Sequence, residues 1–283
     1  MTEPPGRPWV ILGSRFVPRV TLPEGLYRPV ASLLQGFNGE HGPVPHPSTP
    51  VGMEVDGILN GPGGVTFHEP GRSPERIPLD PVGPSSVEYA IVRRAVDRVQ
   101  HRVVLHAASV QHSGGCILIL GESGAGKTTL ALLLHAAGLP LLSDDLSPLD
   151  PRTGAVSAFP RPPHLDGNPP PDVWAALPPP PPGFPADRAP FPLDRQSDLR
   201  EASPVERILV LERSGSGSGD GTEVLARAEA MQRLLRSVIR GRSVDFTALV
   251  PLLVRVCRRA PTWRIRSSTP GGALEAALRI IRG

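Results

Sequence analysis

Lysine is nearly missing from this chain, because 29 of its 30 Lys and Arg residues are arginine and Lys127 is the single lysine. Cysteine is also scarce: the two present are too few for a disulfide framework. Cys116 falls in a predicted core strand and Cys257 in a predicted helix, so we expect two buried thiols in a reducing compartment. Only 4% of the residues are aromatic, yet 39% are hydrophobic, which is enough for a sizeable core.

Long hydrophobic runs are absent as well. No stretch approaches the roughly 18 apolar residues that a membrane-spanning helix needs, and the first residues, Met-Thr-Glu-Pro-Pro-Gly-Arg-Pro, lack the apolar segment of a signal peptide. The net charge is +3 and the arginines are scattered, not clustered as in a nucleic-acid-binding surface. These patterns predict a cytoplasmic protein with neither a membrane nor a nucleic-acid partner.

Proline and glycine divide the chain into regions. Residues 1–84 are rich in both and predict a small β-rich N-terminal domain, followed by a larger α/β domain over residues 85–283. A helix predicted over 87–100 marks the boundary. Residues 160–192 contain 14 prolines, which exclude a helix or a central strand and indicate a surface excursion of polyproline II character.

The lone lysine completes a phosphate-binding loop. Residues 121–128, Gly-Glu-Ser-Gly-Ala-Gly-Lys-Thr, match the pattern G-x-x-x-x-G-K-[ST] at every fixed position. An apolar strand predicted over 116–120 precedes the loop, and a helix predicted over 128–137 follows it. Loop N–H groups and a helix N-terminus together form an anion site. We therefore expect ATP phosphates to contact the whole segment, namely Gly121, Glu122, Ser123, Gly124, Ala125, Gly126, Lys127, Thr128 and Thr129.

Two of these loop residues have more specific expected roles. The Lys127 ammonium would reach the β- and γ-phosphates, which makes it a catalytic candidate. The Thr128 hydroxyl would be a ligand of Mg²⁺.

Two adjacent carboxylates follow the next predicted strand. Asp144 and Asp145 come 17 and 18 residues after Lys127, directly after the apolar segment 139–142. We expect this strand to lie beside the loop strand, where its carboxyl end brings both side chains close to the phosphates. One carboxylate could hold Mg²⁺ and the other could accept a proton from an attacking hydroxyl. The alternative is a pair of solvated turn carboxylates.

The remaining elements follow from hydrophobic periodicity and turn residues. A proline at 251 threatens the helix expected around 245–259, which could instead begin near 250. The other predicted strands cover 103–105, 107–111, 146–149, 155–159, 208–211 and 262–266, and the other predicted helices cover 228–240 and 272–282.

His106 lies 21 residues before Lys127 in Leu-His-Ala-Ala-Ser-Val, residues 105–110. A lone strand histidine is usually structural. Together with the loop at 121–128 and Leu-Leu-Ser-Asp-Asp at 141–145, however, this segment resembles the signature of the HPr kinase/phosphorylase catalytic domain. The match is closest to the broader relatives of that enzyme. Val-Ser-Ala-Phe-Pro-Arg-Pro at 156–162 is similar to a further segment of these relatives, so the strong resemblance covers roughly residues 103–163.

The resemblance implies a nucleotide-binding core of the kind shared with phosphoenolpyruvate carboxykinase. It implies ATP-dependent transfer of a phosphoryl group to a hydroxyl, with a serine of a peptide or protein as the favoured acceptor. Some relatives act on precursors of ribosomally made peptides, including lasso peptides. Asp144 would be the general base and His106 its neighbour, while Asp145 and Thr128 would lie near the metal.

One departure from the family pattern limits the expected activity and acceptor. The regulatory enzymes carry a Gly- and Asn-rich signature after the aspartates, linked to dephosphorylation, whereas this chain turns proline-rich there. We therefore expect neither phosphorylase activity nor HPr as the acceptor. A nucleotide-binding regulatory or scaffold module and a small-molecule kinase remain alternative functions. As for partners, the protein could form a homo-oligomer. Arg161, Arg195 and Arg200 are candidates to stabilise the transferring phosphoryl group.

Overall fold

The computed structural model contains two compact units, residues 1–99 and 100–283, and each is described by itself. Described are residues 9–11, 19–22, 54–59, 64–68, 73–78, 87–93, 103–159, 163, 165, 171, 175, 202–214, 219–239 and 246–283. Within these ranges no helix is both long enough and apolar enough to cross a bilayer. The predicted proline-rich excursion lies almost entirely outside the described residues.

The first unit contains a five-stranded sheet whose spatial order follows the chain. Its second and third strands, Arg19–Leu22 and Glu54–Leu59, pair in parallel, and the other neighbours pair antiparallel. Residues 87–93 are helical, with their apolar side chains buried except that of Tyr89, and Arg93 forms an ion pair with Glu75. The rest of the helix predicted over 87–100 lies outside the described residues. The strands are β1 (Trp9–Ile11), β2 (Arg19–Leu22), β3 (Glu54–Leu59), β4 (Gly64–His68) and β5 (Glu75–Pro78).

The second unit is built on a nine-stranded sheet with helices on both sides, which makes the fold mixed α/β, as predicted. Its strands are β6 (Val103–His106), β7 (Ala108–His112), β8 (Gly115–Leu120), β9 (Leu141–Ser143), β10 (Leu146–Leu149), β11 (Ala155–Val156), β12 (Ser203–Arg213), β13 (Gly221–Val224) and β14 (Thr262–Ser267). Its described helices are α1 (Lys127–Ala136), α2 (Arg227–Ser237), α3 (Phe246–Arg259) and α4 (Pro270–Arg282).

Strand β12 joins the two parts of this sheet. Its first residues pair antiparallel with β11, and its later residues pair in parallel with β8 on one side and β14 on the other. The order β6-β10-β11-β12-β8-β7-β9 therefore runs through β12, with β14 and then β13 attached beyond it. Because β8, β12 and β14 run in the same direction, their carboxyl ends meet at one edge of the sheet.

Side-chain alternation along the central strands separates two cores. One face of β8 and β12, with Leu118 and Val210, packs against α2 and α3. The other face, with Ile119 and Leu209, packs against α1 and α4. Every residue of β8 is buried, which is the pattern of a strand covered on both faces. Cys116 and Cys257 are buried free thiols, as predicted, and burial raises the pKa of both.

Several element bounds differ from the sequence predictions. Helix α3 begins at Phe246, five residues before Pro251, so the alternative start near 250 is wrong. Its buried face, with Leu249, Leu252 and Leu253, supplies packing that outweighs the missing proline N–H. The strand predicted over 155–159 spans only Ala155–Val156, and β13 was not predicted.

Candidate functional site

The predicted phosphate loop connects β8 to α1 through two glycines with different physical roles. A Cβ on Gly121 would lie 2.8 Å from the carbonyl oxygen of Leu211, closer than real Cβ atoms come, so only glycine fits between the loop and β12. Gly126 caps α1 with a φ of 98°, in the left-handed region that favours glycine. The first four N–H groups of a helix lack intrahelical acceptors. Since α1 has no side-chain N-cap bond, these groups can bind an anion.

Lys127 points back along this loop. Its Nζ donates hydrogen bonds to the carbonyl oxygens of Gly121 at 3.0 Å and Glu122 at 3.1 Å. The residue is only 6% exposed, and burial lowers the pKa of its ammonium, an effect that the nearby charge of Asp145 partly opposes. The ammonium is thus held at the start of the loop. Because burial removes most of its contact with water, a bound phosphate would stabilise its charge.

The two aspartates follow β9, at the same edge of the sheet. The sequence predicts β9 beside β8, but β7 lies between them. The reason is the two-residue turn at Ser113 and Gly114, both with positive φ, which folds β7 back onto β8 as a hairpin. Because β8 and β9 are both antiparallel to β7, they still run in the same direction, and their carboxyl ends still meet.

His106 and Asp145 are brought together by strand pairing. His106 lies opposite Leu146 in the β6–β10 ladder, and the Ala107 N–H donates to the Asp145 carbonyl at 3.0 Å. The side chains meet at 3.3 Å between Nε2 and Oδ1. Both are over a third exposed, so a charged pair here contributes little to stability. Its consequence is orientation, because one side chain limits where the other can lie.

Ser143 fixes the turn that carries the aspartates. Its Oγ accepts hydrogen bonds from the Asp145 N–H at 3.3 Å and the Leu146 N–H at 3.0 Å. Asp144 is 3% exposed, whereas the Asp145 side chain is 36% exposed. The adjacent carboxylates therefore have different surroundings, one buried and one open to solvent.

These groups border one cavity of about 420 Å³, which we call the phosphate cavity. Its lining consists of His106, Ser123, Gly124, Gly126, Lys127, Thr128, Thr129, Asp144, Asp145, Leu165 and Arg213. The structure thus gathers all the predicted catalytic and metal-binding residues around one space. Among the predicted nucleotide-binding residues, Gly121 and Glu122 line a second cavity instead, and Ala125 lines neither.

Arg213 is a residue of this site that sequence reasoning missed. It is the last residue of β12 and is exposed in the phosphate cavity, where no described residue forms an ion pair with it. The sequence predicts a strand at 208–211 but not its parallel pairing with the loop strand, and that pairing brings Arg213 to this edge. The arginines proposed from the sequence, Arg161, Arg195 and Arg200, lie outside the described residues.

The donor set suits magnesium bound with a nucleotide. Within the described residues no three His, Cys, Asp or Glu side chains form a metal-binding group by themselves. Mg²⁺ does not need such a group, since it usually takes one or two carboxylates together with phosphate oxygens and water. The Thr128 hydroxyl and the Asp145 carboxylate are oxygen donors bordering the same cavity as the loop, which fits that requirement.

Comparison with protein-family models gives no match to this chain, and comparison with curated protein sequences gives none either. The case for a function therefore rests on the residues of the phosphate cavity and on their arrangement.

Proposed function

We propose that this protein is an ATP-dependent kinase of the HPr-kinase-like type, which transfers the γ-phosphoryl group of ATP to a hydroxyl. The favoured acceptor is a serine of a peptide or protein. One observation carries the proposal: a phosphate loop with its lysine and a pair of aspartates with a histidine border the same cavity. An anion site facing a proton acceptor is the minimum apparatus for phosphoryl transfer to a hydroxyl.

The loop wall would bind the triphosphate. The N–H groups at the start of α1 would donate to phosphate oxygens, and Lys127 would supply a positive charge at the β- and γ-phosphates. The Lys127 ammonium now bonds to two loop carbonyls, so it is already held where a phosphate would meet it. Arg213, on the same cavity, would place a second positive charge beside the transferring group.

Thr128 and Asp145 are the residues that would hold Mg²⁺. When bound, the ion neutralises phosphate charge and so lowers the cost of building up charge on the phosphates. His106 would orient Asp145 through the contact between Nε2 and Oδ1. It would thus act on the metal-binding side chain and not on the proton that is transferred.

Asp144 would accept the acceptor's proton. As the hydroxyl oxygen forms its bond to the γ-phosphorus, the O–H bond breaks and the proton passes to the Asp144 carboxylate. The bond between the γ-phosphorus and the bridging oxygen breaks, and ADP leaves with that electron pair. Asp144 is almost fully buried next to the more open Asp145, which favours a division between proton transfer and metal binding.

A transfer experiment tests this function. The protein is incubated with radiolabelled ATP, Mg²⁺ and a degenerate peptide library with one fixed serine. A matched library with alanine at that position is the control. We expect label in the serine library only, with one ADP formed for each phosphate transferred. Tight ATP binding without label in any peptide would instead favour a regulatory nucleotide-binding module or a small-molecule kinase.

A further inference from the structure

A second cavity adjoins the phosphate cavity, and we call it the arginine cavity. Its volume is about 390 Å³, and Gly121 and Glu122 line it but do not line the phosphate cavity. His106 and Ser123 border both cavities. A ligand in the arginine cavity is therefore one residue away from the space expected to hold the phosphates.

The position of Lys127 indicates which end of the triphosphate faces this second cavity. The P-loop lysine reaches the β- and γ-phosphates, whereas the residues after it bind nearer the α-phosphate. Here the ammonium lies against the carbonyls of Gly121 and Glu122, which line the arginine cavity. The γ end thus points towards the arginine cavity, and the nucleoside end points away from it.

The arginine cavity has a fixed geometry. After α2 the chain pairs with the strand that carries His106: Val238 bridges Leu105, and the Ile239 N–H donates to the Val104 carbonyl at 2.9 Å. Val238 and Ile239 supply part of an apolar lining. The end of α2 is thereby attached to the catalytic edge of the sheet, so its last side chains lie near the reacting groups.

The two arginines of this cavity differ in their partners. Arg233 lies 2.6 Å from Glu212 and 3.6 Å from Glu229, so its charge is already balanced. Arg236, one helical turn later, is exposed, and no described residue forms an ion pair with it. An anion entering the cavity would therefore meet Arg236 and not Arg233.

Glu122 gives the cavity a direction. Its side chain is exposed at the loop end, whereas Arg236 lies at the α2 end. A carboxylate is repelled at the first end and attracted at the second, while hydrogen-bond donors prefer the first. A ligand with both kinds of group would place its hydroxyl towards the loop and its carboxylate towards α2.

We propose that the arginine cavity is the acceptor subsite and that it selects a serine flanked by an acidic side chain, whose carboxylate binds Arg236. This rests on the proposed kinase function and adds the substrate class. The apolar lining would contact the peptide side chain next to the serine. The serine hydroxyl would then lie beside His106, which borders both cavities, and face the γ-phosphoryl group.

The test uses short peptides with one serine, blocked at both ends so that they differ only in side-chain charge. Aspartate, alanine or arginine is placed in turn at each position around the serine, and KM and kcat are measured with saturating Mg·ATP. We expect aspartate at one position to lower KM by up to about fivefold relative to alanine, the range for an ion pair with an exposed arginine. Arginine there should raise KM.

Arg236→Gln should abolish this aspartate preference and leave the KM for ATP unchanged. Arg236→Lys should retain part of it. Arg227→Gln removes an exposed arginine of the same helix outside the cavity and should change nothing. Arg236 also lies in the last turn of α2, where a positive charge stabilises the helix. A purely structural role would lower the melting temperature without removing the aspartate preference.

Three results would overturn the proposal: equal KM for acidic and neutral peptides, a preference that survives in Arg236→Gln, or competition between peptide and ATP. Competition would assign the cavity to the nucleoside instead. Failure to phosphorylate any peptide while ATP binding is intact would instead contradict transfer to a peptide serine, the proposed function on which this subsite rests. Loss of ATP binding by the wild-type protein would be a different failure, that of the kinase function itself.

Discussion

The two walls of the phosphate cavity are built in different ways. The loop wall is one continuous stretch of chain, in which Lys127 follows directly from the glycines that shape its surroundings. The aspartate wall is assembled from separate strands, because His106 meets Asp145 only when β6 pairs with β10. The loop wall depends on local geometry and the aspartate wall on long-range strand pairing. We therefore expect substitutions in the loop wall to change nucleotide affinity and substitutions in the aspartate wall to change the transfer rate.

The largest effect on the rate of phosphoryl transfer is expected at the aspartate wall. Asp144→Asn removes the proton acceptor but keeps its size, so phosphoryl transfer should slow by about 10²–10⁴-fold. Because the loop wall is untouched, calorimetry should show an unchanged affinity for Mg·ATP. Transfer at the wild-type rate would move the proton acceptor to Asp145 or show that positioning alone is sufficient.

A substitution in the loop wall should change the affinity for nucleotide. Lys127→Ala removes the ammonium that faces the phosphates, and we expect the affinity for Mg·ATP to fall by about tenfold or more. Lys127→Arg is the informative companion, because a planar guanidinium cannot occupy the place of an ammonium held between two carbonyls. Equal affinities in calorimetry for all three proteins would show that the loop does not bind the triphosphate.

Gly121→Ala tests whether the loop wall requires its close contact with strand β12. The added methyl group would meet the Leu211 carbonyl, and overpacking of this kind typically costs about 1–3 kcal/mol of unfolding free energy. Gly271→Ala is a matched control, because its Cβ would meet nothing within 4 Å. Urea unfolding should separate the two; equal midpoints would mean that β12 can move away from the loop.

His106→Ala should have a smaller effect than Asp144→Asn. The contact with Asp145 is partly exposed, and such pairs are worth at most about 1 kcal/mol, so we expect the transfer rate to fall by less than about tenfold. Nucleotide affinity without metal should not change. A loss as large as that of Asp144→Asn would make His106 a participant in proton transfer.

The mildest perturbation is a change of pH. Burial lowers the pKa of Lys127 in the free protein, and a bound phosphate would raise it again. Between these two values binding must take up a proton, so affinity should fall as the pH rises through that window and be constant below it. Calorimetry in buffers of different ionisation enthalpy measures this uptake on the alkaline side. The uptake should vanish in Lys127→Ala, whereas its persistence there would assign the proton to another group.

The same contrast explains what could be predicted from the sequence. The strand before the loop and the helix after it were predicted correctly because an apolar run and a glycine pattern are local signals; α1 begins one residue from its predicted start. The position of β9 was wrong because nothing in its own residues shows that the β7–β8 hairpin occupies the nearer edge. Arg213 was missed because its side chain reaches the cavity only through the parallel pairing of β12 with β8.

The single lysine also makes the protein its own spectroscopic probe. Since Lys127 is the one lysine in the chain, growth on lysine labelled with nitrogen-15 at Nζ gives one side-chain ammonium resonance that needs no assignment. That nitrogen lies in the loop between two carbonyl oxygens, and its chemical shift and exchange rate respond directly to what replaces them. Any ligand of the phosphate cavity can thus be detected by one signal, without altering a residue.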